Sequence, residues 1–112
     1  MFEIVYYRFE DGQAPVEDFI DTLEVKMQAK VFRQIQLLKE YGCELREPYS
    51  SCLEDGIFEL RIKQSSNITR ILYFFCRSKK IILTHGFTKK TQKTPPEEIE
   101  RARKYRNKYE SR

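Results

Sequence analysis

Three short stretches in the second half of the chain have the pattern of consecutive β-strands. Residues 57–63 alternate strictly from Phe58, with Phe58, Leu60 and Ile62 on one face and polar side chains on the other. The three predicted strands are residues 57–63 (IFELRIK), 70–76 (RILYFFC) and 81–87 (IILTHGF), separated by polar turns. Because strands joined by short turns pair side by side, the sequence predicts a three-stranded antiparallel meander.

The remaining segments predict one further strand and three helices. Residues 2–9 are rich in β-branched and aromatic side chains and favour a strand. Pro15 indicates a helix start, Gly42 a helix end, and Thr94-Pro95-Pro96-Glu97 a capping box. The predicted helices are residues 15–23, 25–41 and about 95–109, and residues 43–55 are predicted to be an irregular connection.

Apolar spacing indicates how these helices pack. In the second helix, the apolar positions at three- and four-residue steps are Val25, Ala29, Phe32, Ile35 and Leu38. The first two helices would form a hairpin whose apolar stripes need a sheet to cover them. The last helix has a thin apolar face, so we expect it to pack weakly on the domain or against a partner. That face consists of Ile99, Ala102, Tyr105 and Tyr109. The predicted fold class is α+β.

Length and composition predict one cytoplasmic domain. A chain of 112 residues with 40% hydrophobic content supports a single core, so residues 1–112 are expected to form one domain. No apolar stretch is long enough for a membrane span, and the start lacks a signal-peptide pattern. Three cysteines without metal-binding spacing and a single histidine fit a reducing compartment and offer little to a metal ion. We expect no membrane contact, metal or cofactor.

Charge is distributed unevenly along the chain. Residues 1–55 carry 6 basic and 12 acidic side chains, a net charge of −6, whereas residues 56–112 carry 15 basic and 5 acidic ones, a net charge of +10. No acid occurs between Glu59 and Glu97, and the nine basic residues there are Arg61, Lys63, Arg70, Arg77, Lys79, Lys80, Lys89, Lys90 and Lys93. Such a stretch repels itself, so we expect it to face a polyanion, most commonly RNA or DNA.

The alternation of the first meander strand places Arg61 and Lys63 on one face. Arg70 opens the next strand and is expected to lie across from them, with His85 on the third strand and Lys89 and Lys90 following it nearby. Guanidinium groups match phosphate oxygens bidentately, so this sheet is a candidate phosphate-binding groove. The alternative is a solvated outer face, although such faces normally mix both signs of charge.

His85 is the default general acid or base, because its ordinary pKa lies near neutrality. The alternative is a structural histidine at a strand end. RNA carries its own nucleophile, the 2′-hydroxyl, so a metal-free ribonuclease needs a base, an acid and cations that stabilise the phosphorane. The proton-transfer groups available are His85, a lysine such as Lys89 or Lys90, or a tyrosine. Tyr105 is a candidate for stacking on bases or, alternatively, for docking the last helix.

Three blocks of sequence resemble the phage-derived branch of the RelE/HigB toxin superfamily. In chain order they are residues 59–61 (ELR), 70–74 (RILYF) and 85–95 (HGFTKKTQKTP). Residues 15–19 (PVEDF) and 47–49 (EPY) also fit, so the resemblance covers nearly the whole chain. It implies a RelE-like α+β fold with an N-terminal strand, a helical hairpin, an antiparallel meander and a C-terminal helix.

The resemblance also implies the toxin half of a type II toxin–antitoxin module. Most characterised members cleave mRNA in the ribosomal A site, without metal, through attack of the 2′-hydroxyl. A cognate helix-turn-helix antitoxin is implied, and operator DNA would be contacted only through it. The resulting catalytic candidates are Arg61, Arg70, His85, Lys89 and Lys90. The RNA-binding candidates are Lys63, Lys93, Arg77 and Tyr105.

Two other functions remain open. Related ParE toxins share the fold but inhibit gyrase, and a phage-derived member that only binds its partner would be a non-catalytic interaction protein. DNA binding by this chain alone has less support, because no predicted helix is a clear recognition helix.

Overall fold

The computed structural model describes residues 1–112 and has the predicted α+β fold. The strands are β1 (Glu3–Tyr6), β2 (Ser50–Cys52), β3 (Phe58–Gln64), β4 (Asn67–Cys76) and β5 (Lys80–Lys89). The α-helices are α1 (Pro15–Asp21), α2 (Val25–Tyr41) and α3 (Pro96–Glu110), and a 3₁₀ turn (Gly42–Glu44) follows α2. None of these helices is long and apolar enough to span a membrane.

All five strands belong to one sheet in the order β1-β5-β4-β3-β2. The antiparallel meander of β3, β4 and β5 is confirmed. β1 pairs in parallel with β5, and the short β2 pairs with β3 at the opposite edge. The prediction that residues 43–55 are irregular was therefore wrong at Ser50–Cys52. This edge strand is only three residues long and has no apolar alternation, so the sequence carries no periodic signal for it.

The helical hairpin covers one face of the sheet. Leu60 and Ile62 of β3 lie on this face with Tyr73 of β4, as the alternation predicted for β3. They belong to a core of twelve buried residues, to which α2 contributes Val31 and Leu38. The hairpin thus has the sheet cover that its apolar stripes require.

The buried face of α2 differs from the predicted one in its first half. Val25 is 80% exposed and Phe32 is 51% exposed, and Ala29 is also exposed, whereas Met27 and Val31 are buried. Two apolar stripes run along α2 and share Ile35 and Leu38, so spacing alone does not separate them. The contact with α1 selects one of the two stripes, because the Gln28 amide donates a hydrogen bond to the carbonyl oxygen of Ile20 at 2.8 Å. This contact fixes the rotation of the first turn.

α3 covers the second face of the sheet and packs more extensively than its thin stripe predicted. Ala102 is fully buried in a second core with Leu72, Phe74 and Ile82. Tyr105 stacks on Tyr7 with ring centroids 4.7 Å apart, and Tyr109 meets Phe74 edge-on at 6.0 Å. The helix is therefore anchored by aromatic contacts to the residue that follows β1 and to β4, both far away in sequence.

Substitutions in α2 test which stripe is buried. Leu38→Ala is expected to lower the free energy of unfolding by about 2–5 kcal/mol, because Leu38 is fully buried and truncation leaves a cavity. Phe32→Ala is expected to change it by no more than about 0.5 kcal/mol. Urea unfolding followed by circular dichroism measures both, and equal losses for the two variants would contradict this packing of α2.

Candidate nucleic-acid interface

The meander brings the predicted basic residues together as expected. Arg61 of β3 and Arg70 of β4 are direct cross-strand partners. In the next row, Ile68 lies between Lys63 of β3 and Lys89 of β5. Paired residues point to the same face of a sheet, so these four cationic residues share the face opposite the hairpin.

Arg70 is fully buried beneath the loop that connects β5 to α3. This β5–α3 loop comprises residues 90–95. The Nη2 atom of Arg70 donates hydrogen bonds to the carbonyl oxygens of Thr91 and Gln92, and its Nε lies 3.4 Å from Oε1 of Glu59. Burial lowers the pKa of Arg70, while the charge of Glu59 opposes this shift. Arg70 supports the loop in this arrangement, and its predicted contact with phosphate stays a prediction.

Glu59 connects the two arginines to the same loop. Its Oε2 accepts a hydrogen bond from Arg61 Nη1 at 2.7 Å, and its Oε1 accepts one from the Thr94 hydroxyl. Arg61 also donates to the carbonyl oxygen of Gln92 at 3.1 Å. The predicted capping box was therefore wrong: Thr94 makes no cap, and the N-cap residue is Pro95. The buried carboxylate offers the Thr94 hydroxyl a charged acceptor, and such a hydrogen bond is stronger than one to a backbone N–H.

The lysines around this support are exposed and unpaired. We refer to Lys63, Lys89, Lys90 and Lys93 as the lysine cluster. None of the nine ion pairs in the structure involves these residues. On α3, by contrast, Arg103 and Arg106 both form ion pairs with Asp55, and Arg103 also pairs with Glu54 and Glu100. Uncompensated positive charge therefore surrounds the β5–α3 loop and the free end of β3, where it is available to an anionic ligand.

His85 lies in a closed environment under α3. It is 3% exposed, its Nε2 is 3.1 Å from Oε1 of Glu98, and its Nδ1 is 3.1 Å from the Thr84 hydroxyl. Burial lowers the pKa of His85 to about 4, although the charge of Glu98 opposes the shift. The contacts match the structural alternative, and the proton-transfer role stays a prediction. No group of three or more His, Cys, Asp or Glu side chains lies close enough to hold a metal ion.

Arg77 and Tyr105 lie outside the lysine cluster. Arg77 follows the far end of β4, roughly 20 Å along the strand from Arg70 at ~3.3 Å per residue. Tyr105 is half-buried against Tyr7, which is the docking alternative given for it. Their RNA-binding roles stay predictions without a geometric link to the other candidates.

The structure adds cationic residues that the sequence reasoning missed. Lys30 and Arg33 of α2 line a groove with Arg61 and Lys63, and Tyr49 completes its wall. Lys30 and Arg33 are three positions apart on one helix face, which is the only sequence signal they carry. The charge pattern does not indicate them, because they lie in residues 1–55, whose net charge is negative.

Replacement of the buried carboxylate tests the loop support. Glu59→Gln leaves Arg70 buried without a counter-charge, so the free energy of unfolding is expected to fall by about 3 kcal/mol. Trypsin is expected to cleave after Lys90 and Lys93 faster than in the wild type. The matched control is Glu100→Gln, which removes an exposed partner of Arg103 and is expected to leave stability nearly unchanged. Equal effects of both variants would show that the buried pair does not hold the loop.

The enclosure of His85 predicts a pH dependence of stability. The folded-state pKa lies below the ordinary value of 6.5, so folding favours the neutral ring. This contribution is complete above the unfolded-state pKa and disappears as pH falls through about 6.5 towards 4, a loss of about 3 kcal/mol. Denaturant unfolding across this range should show a smaller decline for His85→Gln, whose amide still donates to Glu98 without titrating. Parallel declines for both proteins would refute the assignment.

Comparison with known proteins assigns the family. A search of curated proteins finds no match. Residues 18–107 match the family described as phage-derived protein Gp49-like (DUF891), which is a RelE/HigB-like toxin family. The match spans well over half of the chain, from α1 to α3, and includes all residues of the lysine cluster. The chain therefore belongs to the phage-derived Gp49-like family.

Proposed function

We propose that this protein is the toxin of a type II toxin–antitoxin module and cleaves mRNA on the ribosome. Family membership supports the toxin role. The observation that carries the nuclease is the lysine cluster, four exposed and unpaired cations beside the partly exposed Arg61. A polyanion compensates such charge, and an RNA phosphate placed there would meet both a fixed guanidinium and mobile ammonium groups.

The proposed reaction is attack of the RNA 2′-hydroxyl on the adjacent phosphate, without a metal. Arg61 stabilises the charge that develops on the phosphorane, because Glu59 and Gln92 already hold its guanidinium in place. Lys89 and Lys90 flank the site and neutralise the phosphate. As the 2′-oxygen bonds to phosphorus, its proton passes to solvent water, and one of the two lysines donates a proton to the departing 5′ oxygen as its bond to phosphorus breaks. Lys63 and Lys93 bind neighbouring phosphates.

The partners follow from this role. The substrate is mRNA in the A site of the small ribosomal subunit, and the toxin acts in the cytoplasm. A cognate helix-turn-helix antitoxin neutralises the toxin by covering the lysine cluster, because an acidic segment there would satisfy the same unpaired cations. Operator DNA is contacted only through that antitoxin.

Charge removal at the cluster tests the nuclease. Lys89→Gln/Lys90→Gln/Lys93→Gln is expected to reduce the rate of mRNA cleavage on purified ribosomes at least about tenfold, because it removes the two lysines that flank the reacting phosphate and one that binds a neighbouring phosphate. Primer extension on the mRNA measures cleavage sites and rates. The matched control is Lys26→Gln/Lys104→Gln/Lys108→Gln, which removes the same charge from exposed positions outside the cluster and should cleave like the wild type.

The choice of variants follows from burial. Arg70 is unsuitable for this test because its loss would unsettle the β5–α3 loop as well as any phosphate contact. If the wild-type protein leaves mRNA on ribosomes intact, the proposal that it is a nuclease is wrong. If expression still stops growth, a gyrase assay distinguishes a ParE-like inhibitor from a non-catalytic interaction protein.

A further inference from the structure

A groove runs between α2 and the free end of β3, next to the lysine cluster. It has a volume of about 530 Å³, which lies within the range of small-ligand sites. β2 stops pairing at Leu60, so β3 beyond this point has no neighbouring strand on that side. The groove therefore exists because the edge strand is short.

The charge of the groove has one sign. Its lining includes Lys30, Arg33, Arg61 and Lys63 and no acidic residue. Among these only Arg61 has an ion-pair partner, the buried Glu59. The remaining exposed cations therefore favour an occupant with several negative charges.

Tyr49 gives the groove an aromatic wall. Its side chain is 47% exposed, and its ring takes part in none of the aromatic pairs of the structure. Its backbone is held on both sides, because its N–H donates to Arg46 and its carbonyl oxygen accepts from the N–H of Arg61, each at 3.0 Å. A free ring on a fixed backbone is suited to stacking, since little conformational freedom is lost on binding.

Gln34 adds a polar group inside the groove. It is 9% exposed and lines the cavity. The side-chain amides of Gln28, Gln36 and Gln92 are hydrogen-bonded within the chain, whereas that of Gln34 is not. Its amide atoms are not among the buried side-chain atoms that lack a hydrogen bond, so they are accessible from the groove and can meet a ligand with donors and acceptors, such as a nucleobase edge.

We propose that this groove binds one nucleotide of single-stranded RNA that flanks the cleavage site. The base stacks on Tyr49 and meets the Gln34 amide, and Lys30 and Arg33 contact the phosphates. Single-stranded nucleic acid fits because cations interleaved with a free aromatic ring are the features that bind it without sequence preference. An acidic peptide would satisfy the cations but leave the ring and the amide without a role. This inference rests on the proposed function and extends it to a subsite beyond the lysine cluster.

The test measures binding apart from cleavage. A short fluorescent 2′-O-methyl RNA, which lacks the nucleophile, is titrated with the full chain and followed by anisotropy. Tyr49→Leu is expected to weaken binding about tenfold and Tyr49→Phe to bind like the wild type, because stacking needs the ring and not the hydroxyl. Lys30→Gln/Arg33→Gln should lower the slope of log affinity against log salt by about one.

Two matched controls separate the groove from general effects. Tyr41→Leu removes another tyrosine, 50% exposed, at the end of α2, and Lys26→Gln/Lys104→Gln removes the same charge elsewhere; both should bind like the wild type. If Tyr49→Leu binds as tightly as Tyr41→Leu, or if the wild type binds no RNA, the subsite is wrong. Tighter binding of poly-glutamate than of RNA, weakened by the Lys30/Arg33 variant, would overturn it in favour of an acidic peptide.

The two proposals fail separately. If the RNA-binding test contradicts the groove, the nuclease proposal still stands, because mRNA cleavage on ribosomes and its dependence on Lys89, Lys90 and Lys93 are measured separately. An RNA affinity that depends on Tyr49, together with intact mRNA on ribosomes, would support the groove and remove the nuclease.

Discussion

The buried pair of Glu59 and Arg70 is the interaction on which the basic face depends. Two charges removed from water lose more solvation than their attraction returns, unless further hydrogen bonds complete the site. The Thr94 hydroxyl and Arg61 supply those bonds to the carboxylate. On the arginine side the site is only partly completed, because Nη2 of Arg70 donates to the carbonyl oxygens of Thr91 and Gln92, whereas its Nε and Nη1 are buried without a hydrogen-bond partner. The β5–α3 loop is thus ordered because the buried pair requires its polar groups, and the lysines on the loop are positioned as a consequence.

The same constraint explains where positive charge stays free. Glu59 directly precedes the acid-free basic stretch, and both of its oxygens are occupied by the arginines and Thr94. No carboxylate is left for the lysine cluster. On α3 the outcome is opposite, because Glu54 and Asp55 of the acidic half fold against Arg103. The division of the sequence into a −6 and a +10 half therefore overstates the charge of α3 and understates that of the groove beside α2.

Strict alternation of apolar and polar residues made the meander of the sheet predictable. The buried face of α2, the groove and the burial of Arg70 were not predictable from the sequence. The spacing placed Arg70 across from the row of Arg61 and Lys63, and the short turn between β3 and β4 fixes the register that pairs it with Arg61. α2 offered two apolar stripes of similar quality, and only its contact with α1 selects one. The groove was not predictable, because Lys30, Tyr49 and Lys63 lie far apart in the sequence and only the tertiary structure places them around one groove. The burial of Arg70 was hidden for the same reason, since no local pattern shows that a later loop covers it.

The enclosure of His85 affects what kind of catalysis this surface supports. RNA brings its own nucleophile, so a protein accelerates its cleavage largely by stabilising charge on the phosphorane. Arg61 is already held by Glu59 and Gln92, which means that it needs no reorganisation when phosphate arrives. The lysines are unpaired and flexible, so they adapt to the path of the chain. A fixed guanidinium beside mobile ammonium groups thus suits a substrate that is itself positioned by the ribosome, where the protein has to supply charge more than a complete set of acid–base groups.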